Sequence, residues 1–151
     1  MRRRMKIESA THLVSGILVD ENKILLGLRK NTKCFPDYWS LPVGHVEMGE
    51  SSLQAIKREL SEEIGVELID ATSFCIKIDE SESIYHQVFL VKKWNGKIVN
   101  RELNLCSELK WFSYDELPDN LTPASKEIID DFESFVGYGF TSSATTYETN
   151  K

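Results

Sequence analysis

Residues 51–66, Ser-Ser-Leu-Gln-Ala-Ile-Lys-Arg-Glu-Leu-Ser-Glu-Glu-Ile-Gly-Val, restrict the fold more than any other stretch of the chain. Ser51 followed three residues later by Gln54 has the form of a capping box, in which each residue's side chain satisfies the other's backbone N–H. Leu53, Ile56, Leu60 and Ile64 recur at spacings of 3, 4 and 4, the stripe of an amphipathic helix. Gly65 falls where a left-handed cap would end that helix. At ~100° per residue, Glu59, Glu62 and Glu63 lie within about 100° of one another, and the apolar stripe centres roughly 90–110° away. One face therefore grips a core while its neighbour carries three acids. Like charges at i,i+4 cost about 0.2–0.5 kcal/mol per pair. Acids near a helix C-terminus also face the negative end of the macrodipole. A bound cation would offset both costs, and hard oxygen ligands on a rigid element suit Mg²⁺ or Mn²⁺. The plain alternative is a solvated acidic face with Arg58 paired to Glu62 at i,i+4.

Strand patterns surround this helix. His12 to Val19 and Lys23 to Arg29 are rich in branched apolar residues and flank the turn signal Asp20-Glu21-Asn22, which predicts a hairpin. Asn31 to Tyr38 reads as a loop, and Trp39 to Val43 as a short extended piece whose Pro42 disfavours a central ladder position. Beyond the helix, Val66–Ile69 and Ser73–Ile78 read as two pieces of strand. Ile84–Trp94 is a stronger strand, closed by the hairpin signal Asn95-Gly96. Leu109–Ser113 is a short strand, and Pro123–Val136 a last helix burying Ile128, Ile129, Phe132 and Phe135. The order predicts an α/β (α+β) domain, a mixed sheet packed between helices.

A length of 151 residues suits one domain with its own core. The expected division is a loose arm over 1–9, the domain over 10–140 and a polar tail over 141–151. Eighteen Lys and Arg against 24 Asp and Glu give a net charge of −6, which argues against a general nucleic-acid partner. No run of 18 apolar residues offers a membrane span. Three cysteines, Cys34, Cys75 and Cys106, match neither a disulfide framework nor a zinc pattern and suit a reducing cytoplasm.

Residues 44–66 as a whole resemble the Nudix box, Gly-x5-Glu-x7-Arg-Glu-aliphatic-x-Glu-Glu-x-Gly-aliphatic. Gly44, Glu50, Arg58, Glu59, Leu60, Glu62, Glu63, Gly65 and Val66 fill every specified position. At ~7% per fixed residue and ~25% per aliphatic one, a chance match is on the order of one in ten million. Trp39-Ser-Leu-Pro42, Leu109-Lys-Trp111-Phe112 and Asp115-Glu-Leu-Pro118 extend the resemblance over about residues 10–137, closest to the MutT-like branch. It implies a mixed sheet sandwiched between helices, with the box as loop–helix–loop. It also implies metal-dependent hydrolysis of a phosphoanhydride, in the MutT-like branch a nucleoside triphosphate cleaved to monophosphate and pyrophosphate. Glu59, Glu62 and Glu63 match the family's metal-binding carboxylates, and Gly44 a glycine whose carbonyl often completes the site. Glu50 and Arg58 match residues that orient the box. Glu59, or a later acid, Glu102 ahead of Glu108, matches the general base.

Arg29 and Lys30 lie where relatives contact phosphate. Trp39, Tyr38 and Phe112 are aromatic candidates for stacking a base. Asn120 lies near a position where MutT relatives carry a base-reading Asn. His45 reads as a supporting or surface group, and His86 as a packed strand residue. A nucleotide is the expected partner, for a monomer or homodimer. Alternatives are a nucleoside-diphosphate-sugar or dinucleotide hydrolase, or a non-catalytic nucleotide sensor, which would not need all three carboxylates. An EF-hand Ca²⁺ module lacks its Asp-rich loop.

Overall fold

The computed structural model describes residues 10–136. The expected arm and the expected tail lie outside the described residues. Strands β1 (Thr11–Asp20) and β2 (Lys23–Arg29) form the expected hairpin, closed by pairs Val19–Ile24 and Asp20–Lys23. Strands β3 (Trp39–Ser40) and β4 (Val43–His45) flank Pro42, whose lack of an N–H keeps the two apart. Helix α1 is Ser52–Ile64, followed by β5 (Glu67–Asp79), β6 (Ile84–Asn95) and β7 (Cys106–Ser113). A 3-10 turn over Tyr114–Glu116 leads to helix α2, Pro123–Phe135.

The sheet runs β3-β2-β1-β6-β5, with β4 beside β1 and β7 beside β2. Only β1 and β6 are parallel, from Thr11–Ile84 to Leu18–Val91, and the other pairs are antiparallel. Side chains alternate between the two faces. Val14, Leu18, Leu25, Phe89 and Val91 join the core under Ile56, Leu60 and Ile64 of α1. Ile17, Ile24, Leu26, Val88 and Leu90 join the core under Ile128, Ile129 and Phe132 of α2. This is the expected mixed sheet between helices.

The capping box forms as read: Ser51 Oγ accepts the Gln54 N–H at 3.1 Å, and Gln54 Oε1 accepts the Ser51 N–H at 2.8 Å. Gly65 caps α1 at φ 72° and ψ 25°. Four details differ from the sequence reading. Leu53 is half exposed while Ala55 is buried, because periodicity fixes the angle of a side chain and not whether a neighbour stands opposite it. Phe135 is likewise half exposed. The two pieces expected between Val66 and Ile78 are one strand of 13 residues, kept continuous through its polar middle by register shifts against β6. Asn95-Gly96 makes no hairpin, because β1 and β5 already occupy both edges of β6 and β7 pairs with β2 instead.

The segment from 96 to 105 consequently crosses beneath the end of α1. The Val99 and Arg101 N–H groups donate to the carbonyls of Ile64 and Glu63, at 3.0 and 2.9 Å. These are carbonyls that a helix end leaves without partners. Helix end and loop are thereby fixed to each other.

Candidate active site

The box divides its residues by task. Leu60, Ile64 and Val66 are buried in the α1 core, which fixes the rotation of the helix. That rotation turns Glu59 and Glu63 toward β4 and the 97–105 loop. A Cβ at Gly44, on β4, would collide with the Glu59 carboxylate, so only glycine lets strand and acid come this close. Gly65 serves differently: its positive φ reverses the chain, and the Arg101 side chain lies over it.

Arg58 organises the loop ahead of the helix. Its Nε donates to Glu50 Oε2 at 2.6 Å and its Nη2 to Glu50 Oε1 at 3.0 Å, a two-pronged pair. Nη2 also donates to the His45 carbonyl at 2.9 Å, and Nη1 to Glu59 and Glu62 at 3.3 and 3.2 Å. Glu50 Oε1 in turn accepts the Glu47 N–H. The Arg58 hydrogen bond holds the Glu50 carboxyl below its usual range, and Arg58 itself is held more firmly protonated, chiefly by Glu50. The i,i+4 pair with Glu62 is thus one strand of a wider web that ties 45–50 to α1. His45 contributes through its backbone.

Glu63 is the most perturbed acid. Burial, then the charges of Glu59 and Glu102, then a hydrogen bond with Glu59, push it up to about 9. Burial also raises Glu59, against the pull of Arg58. Glu62 stays half exposed. Glu102 reaches this cluster because its loop is anchored to α1 and shaped by Asn100, whose Oδ1 accepts the Glu102 N–H at 3.0 Å. Glu108 is exposed on β7, paired opposite Leu28. Neighbouring carboxylates, a glycine cleared for one of them, and an acid driven to stay neutral without a countercharge are oxygen donors of the kind a divalent cation takes, although among the described residues no group of three or more His, Cys, Asp or Glu is arranged to hold one.

Two cavities meet at this corner. One, of about 160 Å³, is lined by Glu63, Glu102, Leu41 and Cys106. The other, of about 480 Å³, lies between the sheet and the start of α2, lined by Ser15, His86, Lys77, Asp79 and Phe35 among others. Arg29, Ser40 and Val43 line both.

The model of the NUDIX domain family matches residues 10–132. The chain belongs to the Nudix hydrolase family. An 8-oxo-dGTP diphosphatase of Buchnera aphidicola is 33% identical over 128 residues, 83% of this chain and 95% of the relative. A prenyl-diphosphate phosphatase of Methanosarcina mazei is 30% identical over 142 residues, 84% of each protein. The crystal structure of a MutT Nudix hydrolase from Burkholderia pseudomallei superposes with a TM-score of 0.74 at 29% identity, covering 81% of this chain and 97% of that one. This Nudix chain is accordingly a MutT-like hydrolase of a phosphoanhydride, from a family that uses divalent metals.

The remaining sequence candidates fall in different places. Arg29 donates from Nε and Nη2 to the Cys34 carbonyl, at 3.2 and 2.9 Å, and faces both cavities. Lys30 Nζ donates to the Leu103 carbonyl at 3.3 Å and lines neither. Trp39 is only 9% exposed, edge-on to Phe112 within the α2 core, so it braces the sheet and has no free face for a base. Asn120 donates to the Asp37 carbonyl at 2.8 Å and accepts the Trp39 N–H through its own carbonyl, which fixes the loop before β3. The sequence reading missed Asn100 and the polar side chains of the larger cavity. Ser15 did carry a signal, since it interrupts the apolar run of β1, and His86 packs within its strand as the sequence suggests.

Proposed function

We propose that this Nudix hydrolase cleaves a nucleoside triphosphate to the monophosphate and pyrophosphate, with Mg²⁺ or Mn²⁺ as cofactor. One observation carries the reading: Glu63 and Glu102, with Glu59 beside Glu63, line a small cavity that shares Arg29, Ser40 and Val43 with a larger one lined by hydroxyl, imidazole, ammonium and carboxylate groups. A charged phosphate chain suits the first and a polar base the second. The 8-oxo-dGTP diphosphatase likeness supports the same substrate class.

Glu59, Glu62, Glu63 and the Gly44 carbonyl would hold the metal. Such ions neutralise phosphate charge and lower the pKa of bound water. Arg58 and Glu50 keep the carboxylates at their station. Arg29, between the two cavities, offers a guanidinium to phosphate oxygens. Glu102 stands beside the cluster as the residue to take a proton from the attacking water, with Glu59 as the other candidate. The Asn120 and Trp39 assignments to substrate draw no support from their positions. The free thiols of Cys34, Cys75 and Cys106 support a reducing cytoplasmic setting.

Hydrolysis in ¹⁸O-labelled water with Mg²⁺ tests the reaction. Label in pyrophosphate supports attack at the β-phosphorus, and label in the monophosphate means attack at the α-phosphorus. Release of nucleoside diphosphate and orthophosphate rejects the pyrophosphohydrolase reading.

A further inference from the structure

Ser15 and His86 lie in the middle of the sheet, where β1 and β6 run parallel, and are only 2% and 7% exposed. Their strand neighbours Val14, Ile17, Val88 and Leu90 are core residues. An apolar pair at these two positions would pack without any polar group to desolvate. Instead a hydroxyl faces an imidazole, with Ser15 Oγ 2.5 Å from His86 Nε2. Burial lowers the His86 pKa, which favours the neutral ring.

The pair satisfies itself on one side only. The His86 ring has no other hydrogen-bond partner among the described residues, and none of their buried side-chain polar atoms is left unpartnered. Nδ1 is therefore open to the larger cavity, which both residues line. A neutral imidazole carries one donor and one acceptor nitrogen. If Ser15 donates its hydroxyl proton to Nε2, Nδ1–H is a donor toward the cavity. If Nε2–H donates to Ser15, Nδ1 is an acceptor. Phe35, 45% exposed on the same cavity, adds a ring face on which a flat ligand can stack.

We infer that the Ser15–His86 pair is the specificity element of this enzyme, reading a polar edge of the nucleobase and rejecting a hydrocarbon tail such as that of an isoprenoid diphosphate. This rests on the nucleotide reading of the site. A base edge exchanges hydrogen bonds with Nδ1. A hydrocarbon tail leaves that nitrogen dry and unpaired, and sites built for a polar partner reject such ligands strongly. Neither residue touches the carboxylates, so the pair acts on binding and not on the bond that breaks.

The test uses the full chain with Mg²⁺, a panel of ribo- and deoxyribonucleoside triphosphates, and geranyl diphosphate. The variants are His86→Leu, Ser15→Ala and the polar His86→Gln, each checked for fold by circular dichroism. His86→Leu is expected to lower kcat/KM for the preferred base by about 10–100-fold, through KM, and to flatten the ranking of bases while kcat at saturation stays within about threefold. His86→Gln restores part of the loss, and Ser15→Ala weakens the discrimination. Geranyl diphosphate, refused by the wild type, gains turnover in His86→Leu. If His86→Leu does not fold, His86→Gln and Ser15→Ala decide by the same ranking. Folded variants that keep the wild-type KM and base ranking overturn the inference while leaving the nucleotide reading intact. A wild type that turns over geranyl diphosphate and no nucleotide overturns both.

Discussion

Glu63→Gln should make the metal-free protein more stable while abolishing its activity. In the folded chain without metal, burial and the neighbouring charges of Glu59 and Glu102 push the Glu63 carboxyl up to about 9. In the unfolded chain it titrates at its ordinary value near 4.5. A group raised on folding gives its full contribution below the unfolded pKa and loses it as pH climbs toward the folded one. At pH 7 the loss extends over about two and a half units at about 1.4 kcal/mol each, roughly 3 kcal/mol. Glutamine keeps the shape and the hydrogen bond, is neutral in both states, and suffers no such loss. In a chain of this size roughly 3 kcal/mol corresponds to a Tm shift of about 6–12 °C. Differential scanning calorimetry in EDTA measures it at pH 4, 5.5, 7 and 8. The gap between mutant and wild type should be largest at the alkaline end and close toward pH 4. Added Mg²⁺ should raise the wild-type Tm by mass action and move the mutant far less. A mutant Tm at or below wild type at pH 7 in EDTA, or a gap that ignores pH, would refute the electrostatic account of the cluster.

Gly44→Ala forces a methyl group into the Glu59 carboxylate, so Mg²⁺-dependent turnover should fall at least about tenfold while the apo Tm moves little, checked by kinetics and melting together. Arg58→Ala leaves the His45 carbonyl without its Arg58 donor and Glu50 with the Glu47 N–H alone; kcat should drop and the amides of 45–50 should exchange faster by hydrogen–deuterium exchange. Phe132→Ala, in the core under α2 and away from the carboxylates, should cost about 3–5 kcal/mol in urea unfolding with kcat preserved below the transition. Chelation should remove activity, and Mn²⁺ as well as Mg²⁺ should restore it, since both suit oxygen ligands.

The parts of the fold that were legible in sequence are those whose cause is local. The capping box, the Gly65 cap and the β1–β2 turn depend on residues a few positions apart. The three-carboxylate face followed from helical geometry alone. What escaped depends on which edges and neighbours are already taken. Asn95-Gly96 carries a sound hairpin signal, yet β6 has no free edge to offer. Leu53 has the right angle on the helix and is still half exposed. Trp39 attracted a binding role by its type, whereas the packing of Phe112 and Leu121 around it makes it core. Glu102 is a candidate by resemblance, but the reason it reaches Glu63 is a pair of backbone hydrogen bonds that no side-chain pattern announces.

Those two bonds, from Val99 and Arg101 to the end of α1, are made by main-chain groups alone. A clasp of that kind is indifferent to side-chain identity, so long as neither position is proline. The side chains at 99 and 101 can therefore change without unhooking the loop from the helix that bears the acids. The scaffold in this way keeps the acids of the helix on one rigid element and Glu102 on a separate, tethered loop. Exchanging the side chain at 102 leaves both anchors in place, so the loop keeps its station at the helix end whatever that residue is.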